Sequence, residues 1–205
     1  MSYQKKQVSS KDFFIDYNNK LSNALKKEHF IKLEKITKFL EKKINYKRKI
    51  FTCGNGGSAS VANHFLCDFN KGIKNSSKKK IIPQVISLSN SIEIITAISN
   101  DSHYDNTFSN QLENYSEKGD VLIIISCSGK SKNIINAIKY AAEKKLDVVS
   151  FVGFGVHKFV KKFSNFYINL NIKNYGITED IFQAMMHMIS QYLRYKYSKN
   201  TIKIL

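Results

Sequence analysis

Three short stretches of the chain carry residue types that do chemistry together. The first, "GNGGS" at residues 54–58, follows an apolar run and opens a helical pattern. Glycines at a strand-to-helix turn let the backbone take positive φ and come close to a ligand, while the free N–H groups and the dipole of the helix start attract an anion. Ser58 adds a hydroxyl donor. The second, "SCSGKS" at residues 126–131, sets three serines around one glycine, again between an apolar run and a helical pattern. Two hydroxyl-rich helix starts on one sheet edge converge on a phosphate. The dinucleotide fingerprint G-x-G-x-x-G with its acidic residue is absent, and "GNGGSASV" lacks the G-K-[ST] ending of a Walker motif, so a nucleotide is not the expected ligand.

The third stretch holds His64 and Asp68, at i and i+4 of a helical pattern, so that both side chains share a face and can chelate one ion. Gln183 and His187 repeat that spacing near the end of the chain. His29, His103 and His157 have no partner at chelating spacing and read as structural or surface residues. Met185, Met186 and Met188 read as packing.

The elements that must position these residues follow from periodicity. Apolar residues at helical spacing from Phe13 to Ile44, with no Gly or Pro between them, predict two helices within residues 9–47. Short apolar runs then predict strands at 49–54, 81–88, 120–126, 147–153 and 166–171. Helical patterns fall near 58–71, 91–99, 104–117, 131–145, 155–163 and 178–197. Strands without polar alternation are buried on both faces, which predicts an α/β fold: a doubly wound, parallel, five-stranded sheet with an N-terminal helical pair. The expected organisation is a single domain over residues 1–205, with a helical extension at 9–47 and an α/β core at 48–197. Ligands of such sheets bind at the carboxyl ends of the strands, so the turns after Cys53 and Ser126 are where to look.

Composition narrows the classes. The longest purely apolar run, residues 121–125, is far short of the roughly 20 residues of a membrane span, and the first residues carry no apolar signal core. A cytoplasmic protein without membrane association is expected. Cys53, Cys67 and Cys127 fit neither a disulfide framework nor a C-x-x-C zinc pattern and read as reduced thiols. The net charge of +17 would ordinarily suggest nucleic acid, but the lysines are spread along the chain and only residues 74–80 form a cluster. No nucleic-acid partner is expected.

The two turns together resemble the sugar isomerase (SIS) domain family, whose phosphate loop reads S-T-S-G-x-S, with Cys127 here in place of the threonine. The N-terminal helical pair, "CGNGGS" followed by "ANHFLCDF", the "SND" at residues 99–101 after a helix, and a histidine-bearing last helix resemble the phosphoheptose isomerase branch, over about residues 10–197. The resemblance implies that Ser58, Ser126, Ser128 and Ser131 bind phosphate with the backbone of Gly56, Gly57 and Cys127, that Asn55, Asn100 and Asp101 bind the sugar hydroxyls, and that Glu179 is a further substrate-binding residue.

It also implies a metal on His64, Asp68, Glu179 and His187, with Asp68 as the catalytic base and His187 as the partner acid and base. The family's base is a glutamate, and Asp68 is one methylene shorter. Glu179 lies eight residues before His187, the family's ligand spacing and about 12 Å of helix rise, while Gln183 is the plainer geometric partner. Such a set suits one zinc per subunit, or another divalent ion. The implied activity is an aldose–ketose isomerase of sedoheptulose 7-phosphate for lipopolysaccharide or capsule heptose, acting as a homotetramer. An isomerase of a different sugar phosphate and a non-catalytic SIS regulator are the competing expectations.

Overall fold

A computed structural model describes residues 8–155 and 157–198; the two ends of the expected domain, 1–7 and 199–205, lie outside the described residues. The sheet has five parallel strands in the order β2-β1-β3-β4-β5: β1 Lys49–Cys53, β2 Gln84–Ser87, β3 Val121–Ser126, β4 Asp147–Val152 and β5 Phe166–Asn169. The central strand β3 is buried along its whole length, which is why it reads as an unbroken aliphatic run. The strand order reverses between β1 and β3, paired in register from Ile50–Val121 to Cys53–Ile124. Their carboxyl ends therefore flank the topological switch point of the sheet.

Helices cover both faces. On one side α2 (Lys27–Asn45), α3 (Gly57–Cys67) and α9 (Tyr175–Tyr197) bury Leu33, Ile36, Leu40, Phe65, Phe182 and Met185 against the sheet. On the other, α7 (Lys132–Glu143) buries Ile134, Ala137, Ile138 and Ala141, spaced i, i+3, i+4, i+7, beside Phe108 and Leu112 of α6 (Thr107–Tyr115) and Val160 of α8 (Lys158–Phe163). The first helix, α1 (Ser10–Ser22), buries none of its residues. It is tied to α9 by the Tyr17 hydroxyl, which donates to Asp180 Oδ2 at 2.6 Å. That hydrogen bond, with burial and the carboxylate charge, pushes the Tyr17 hydroxyl up to about 12.

Several boundaries differ from the sequence expectation, four of them near the residues expected at the site. The strand expected over 81–88 shortens to β2, because Pro83 has no N–H to give the ladder. The helix expected over 58–71 is α3 followed by a π-helical segment, Asp68–Ile73, and the short α4 (Lys74–Ser76). The wider π turn lets Phe69 stack on Phe65 while Asn70 faces the sheet edge, accepting from Val85 N at 2.9 Å and donating to Val85 O at 2.8 Å. The last helix begins at Tyr175 rather than 178, capped by Asn174 Oδ1, which accepts from Ile177 N at 3.0 Å. The "SND" stretch does not follow the helix but ends it: α5 (Ile92–Asp101) runs through it.

Candidate active site

The two turns expected to hold a phosphate lie side by side at the switch point, on the starts of α3 and α7. Gly56 precedes α3 at φ +57° with no side-chain cap on the helix, and Ser131 precedes α7 without capping it. Both helix starts thus keep partial positive charge for a ligand, roughly half an elementary charge each. In the second turn the hydroxyls shape the loop. Ser126 Oγ accepts from Gly129 N at 3.0 Å and Ser128 Oγ from Lys130 N at 3.3 Å, with Gly129 at φ +63°. Between the turns opens a cleft of about 410 Å³, lined by Asn55, Gly56, Gly57 and Ser58 from one and Ser126, Cys127, Ser128 and Ser131 from the other, with Glu179 and Tyr175 from α9.

Cys127 sits at the floor of this cleft. Its Sγ lies 3.7 Å from Ser58 Oγ and donates to Glu179 Oε1 at 3.6 Å. Burial, reinforced by the Glu179 carboxylate and opposed by the Ser58 hydroxyl, pushes the Cys127 thiol up to about 11. The side chain therefore stays a neutral donor near neutral pH, so replacing the family threonine keeps a donor at the position. Glu179 packs directly on Gly57, where an added Cβ would lie 2.1 Å from Oε2.

Two turns further along α3 and α9 is a second cluster. His64 Nε2 and His187 Nε2 are 3.2 Å apart; His64 Nε2 is 3.5 Å from Asp68 Oδ1, and His187 Nε2 is 3.8 Å from Asp68 Oδ2. Among the described residues this is a group of three whose ligand atoms all lie within 4.8 Å of one another. Donors at zinc bond lengths around a tetrahedral centre are about 3.3 Å apart, so the spacing and the His–His–Asp chemistry both fit a divalent ion with a position left open. Ser190, buried on α9, donates to Asp68 Oδ2 at 2.9 Å and fixes the carboxylate.

Of the residues expected at the site, Glu179 keeps the substrate-side place expected of it but not the metal-side one, and Asn100 and Asp101 lie elsewhere. Glu179 lines the cleft between the two turns and does not join the His–Asp–His group, because about 12 Å of helix rise separates it from His187. The side chain beside His187 is instead Gln183, whose Nε2 is 2.9 Å from His187 Nε2. Asn100 and Asp101 bond to each other at the exposed end of α5, at 2.9 Å, and do not line the cleft.

Residues 13–153 match the family model described as the SIS domain, more than half of the chain. The chain belongs to the SIS domain family. It is 41% identical over 106 residues to the phosphoheptose isomerase of Colwellia psychrerythraea, a match covering 52% of this chain and 53% of that protein. The chain thus spans about half the length of that relative. With the phosphoheptose isomerase of Helicobacter pylori it shares 35% identity over 147 residues, 65% of this chain and 75% of that protein, which makes it a member of the phosphoheptose isomerase branch. The solved phosphoheptose isomerase of Neisseria gonorrhoeae superimposes with a TM-score of 0.76 at 24% identity, over 88% of this chain and 94% of that one, and so shares the fold.

The cleft, the His–Asp–His group and the residues that support them include side chains whose part is not apparent in the sequence. Tyr175 enters the cleft because α9 starts a turn early. Ser190 follows His187 by three residues, a spacing that signals a shared helix face once the histidine is assigned. Tyr104 and Asn133, hydrogen-bonded to Asn55, come from distant segments and carry no local signal. Among the described residues no helix is long and apolar enough to cross a membrane.

Proposed function

We propose that this chain isomerises sedoheptulose 7-phosphate to the corresponding aldose phosphate, in the synthesis of heptose for lipopolysaccharide or capsule. The observation that supports the reading is that α3 with its π-helical continuation, and α9, run from the cleft between the turns to the His–Asp–His group and contribute side chains to both. Glu179, Gln183 and His187 stand on successive turns of α9, reaching in order the cleft, His187 and His64. Their span of about 12 Å suits an extended sugar phosphate with its ester at one end and its carbonyl at the other.

In this reading the starts of α3 and α7 and the hydroxyls of Ser58, Ser126, Ser128 and Ser131 hold the phosphate, while Asn55 and Glu179 meet the sugar hydroxyls. Asp68 removes the proton from C1, breaking the C1–H bond to give the enediol, and returns a proton to C2; His187 carries the hydroxyl proton from O1 to O2. Ser190 holds Oδ2 of Asp68, so the carboxylate meets the substrate in one orientation. A divalent ion, zinc by its nitrogen-rich donor set, would be held by His64, Asp68 and His187, with Gln183 as a further donor, and would supply Lewis acidity at the sugar oxygens. A cytoplasmic homotetramer, one SIS domain per chain, completes the proposal; the exposed Phe13, Phe14 and Ile15 of α1 support burial against another copy.

The test is turnover of sedoheptulose 7-phosphate by the purified protein, before and after chelation. Turnover at about 1 s⁻¹ or faster, lost on chelation and restored by zinc, is expected. Binding of the sugar phosphate without turnover, with zinc present, would contradict the reading.

A further inference from the structure

Asn55 lines the cleft, and its amide is held by groups whose own orientation is set by the backbone. The chain of constraint begins at Asn133, buried in the first turn of α7. Its Oδ1 accepts from the backbone N–H of Ile134 at 2.9 Å. A backbone N–H only donates, so the oxygen and nitrogen of this amide cannot exchange places. A second constraint agrees with the first: Thr107 Oγ1 donates to Tyr104 O at 2.9 Å, which leaves its lone pairs facing Asn133 Nδ2 at 3.5 Å.

Asn133, so fixed, pairs reciprocally with Asn55. Its Nδ2 donates to Asn55 Oδ1 at 2.9 Å and its Oδ1 accepts from Asn55 Nδ2 at 3.0 Å. Tyr104 closes the arrangement, its hydroxyl donating to Asn55 Oδ1 at 2.7 Å. An amide oxygen has two lone pairs and an amide nitrogen two hydrogens. Both lone pairs of Asn55 are filled and one N–H is taken, so a single N–H remains for a ligand.

We propose that Tyr104 and Asn133 lock Asn55 as a donor-only contact, which selects an acceptor oxygen of the ligand and rejects a group that can only donate, such as an ammonium. Tyr104 and Asn133 are positioning residues; Asn55 is the one that touches the ligand. The acceptor is a phosphate-ester oxygen or a sugar hydroxyl oxygen. The inference deepens the sugar-phosphate reading and rests on it for the identity of the ligand.

The lock is tested without any ligand, through the order parameter of the Asn55 side-chain amide measured by NMR relaxation. In the unmodified protein it matches rigid backbone, about 0.85, and in Asn133→Asp, which keeps the acceptor for Ile134 and removes the donor to Asn55, it falls below about 0.6. An amide equally rigid in both proteins overturns the proposal.

The selection is tested by calorimetric titration with inorganic phosphate and with sedoheptulose 7-phosphate. Tyr104→Phe weakens binding about tenfold, and in an Asn55→Ala background the same change costs less than twofold. Weakening of both ligands assigns the acceptor to phosphate; weakening of the sugar phosphate alone assigns it to a hydroxyl. Weakening of neither, or equal weakening with and without Asn55, overturns the proposal. A rigid, Asn133-dependent amide in a protein that binds no sugar phosphate leaves the lock standing and overturns the isomerase reading instead.

Discussion

Asp68→Asn lowers kcat by about a thousandfold, close to 4 kcal/mol of barrier, with the fold intact. The amide keeps the shape of the carboxylate and still accepts from Ser190, whose hydroxyl lies 2.9 Å from Oδ2. The thermal midpoint is therefore expected to stay within a few degrees of the original, by calorimetry, while the proton acceptor at the reacting carbon is gone. Asp68→Glu provides the complementary arm, since it retains the base and adds one methylene of reach. Measurable turnover in Asp68→Glu and none in Asp68→Asn is the expected pair. Turnover in Asp68→Asn near the original rate would remove Asp68 from the chemistry.

Gly54→Ala strikes the site through the backbone. An added Cβ would meet the Ser58 carbonyl oxygen at 2.5 Å and the Ile125 carbonyl oxygen at 2.9 Å. Neither is a flexible side chain: one belongs to the first turn of α3, the other to β3. The turn after β1 must then move away from its neighbour, at a cost of about 2–3 kcal/mol of the kind seen when extra atoms are forced into packed structure. For a chain of this size that lowers the thermal midpoint by roughly 4–12 °C. Phosphate affinity falls at least tenfold as well, because the two helix starts no longer converge. Unchanged stability and phosphate binding would show that the two turns are not held at contact distance.

The parts of this architecture that the sequence displays are those with local causes. A strand buried on both faces, such as β3, must be apolar throughout, and a helix start that faces an anion must use glycine and hydroxyls, so the parallel sheet and both turns can be read from residues 49–58 and 121–131. Features set by distant partners are not displayed. The π segment after Cys67 exists because Asn70 bonds the backbone of β2 and Phe69 stacks on Phe65, and an i, i+4 pattern does not distinguish it from a continued α-helix. Gln183 beside His187 is legible in their i, i+4 spacing, whereas the placing of Glu179 in the cleft depends on how α9 lies across α3, which no spacing within α9 contains. Asn100 and Asp101 are expected just after a helix, yet α5 extends through them and their side chains bond to each other. The hold on Asn55 joins residues 49 and 78 positions away, so only the folded chain shows it.

In the proposed reaction Asp68 carries a proton between two carbons of a sugar whose phosphate is held at the other end of the cleft. The most direct test of that role is the isomerisation of sedoheptulose 7-phosphate in deuterium oxide, with the product examined by NMR and the Asp68→Asn protein run in parallel. Solvent-derived deuterium at C2 of the aldose phosphate, to the extent that the Asp68 proton exchanges before its return, is expected from the unmodified protein and not from the variant. Aldose phosphate formed and labelled equally by both proteins would contradict it.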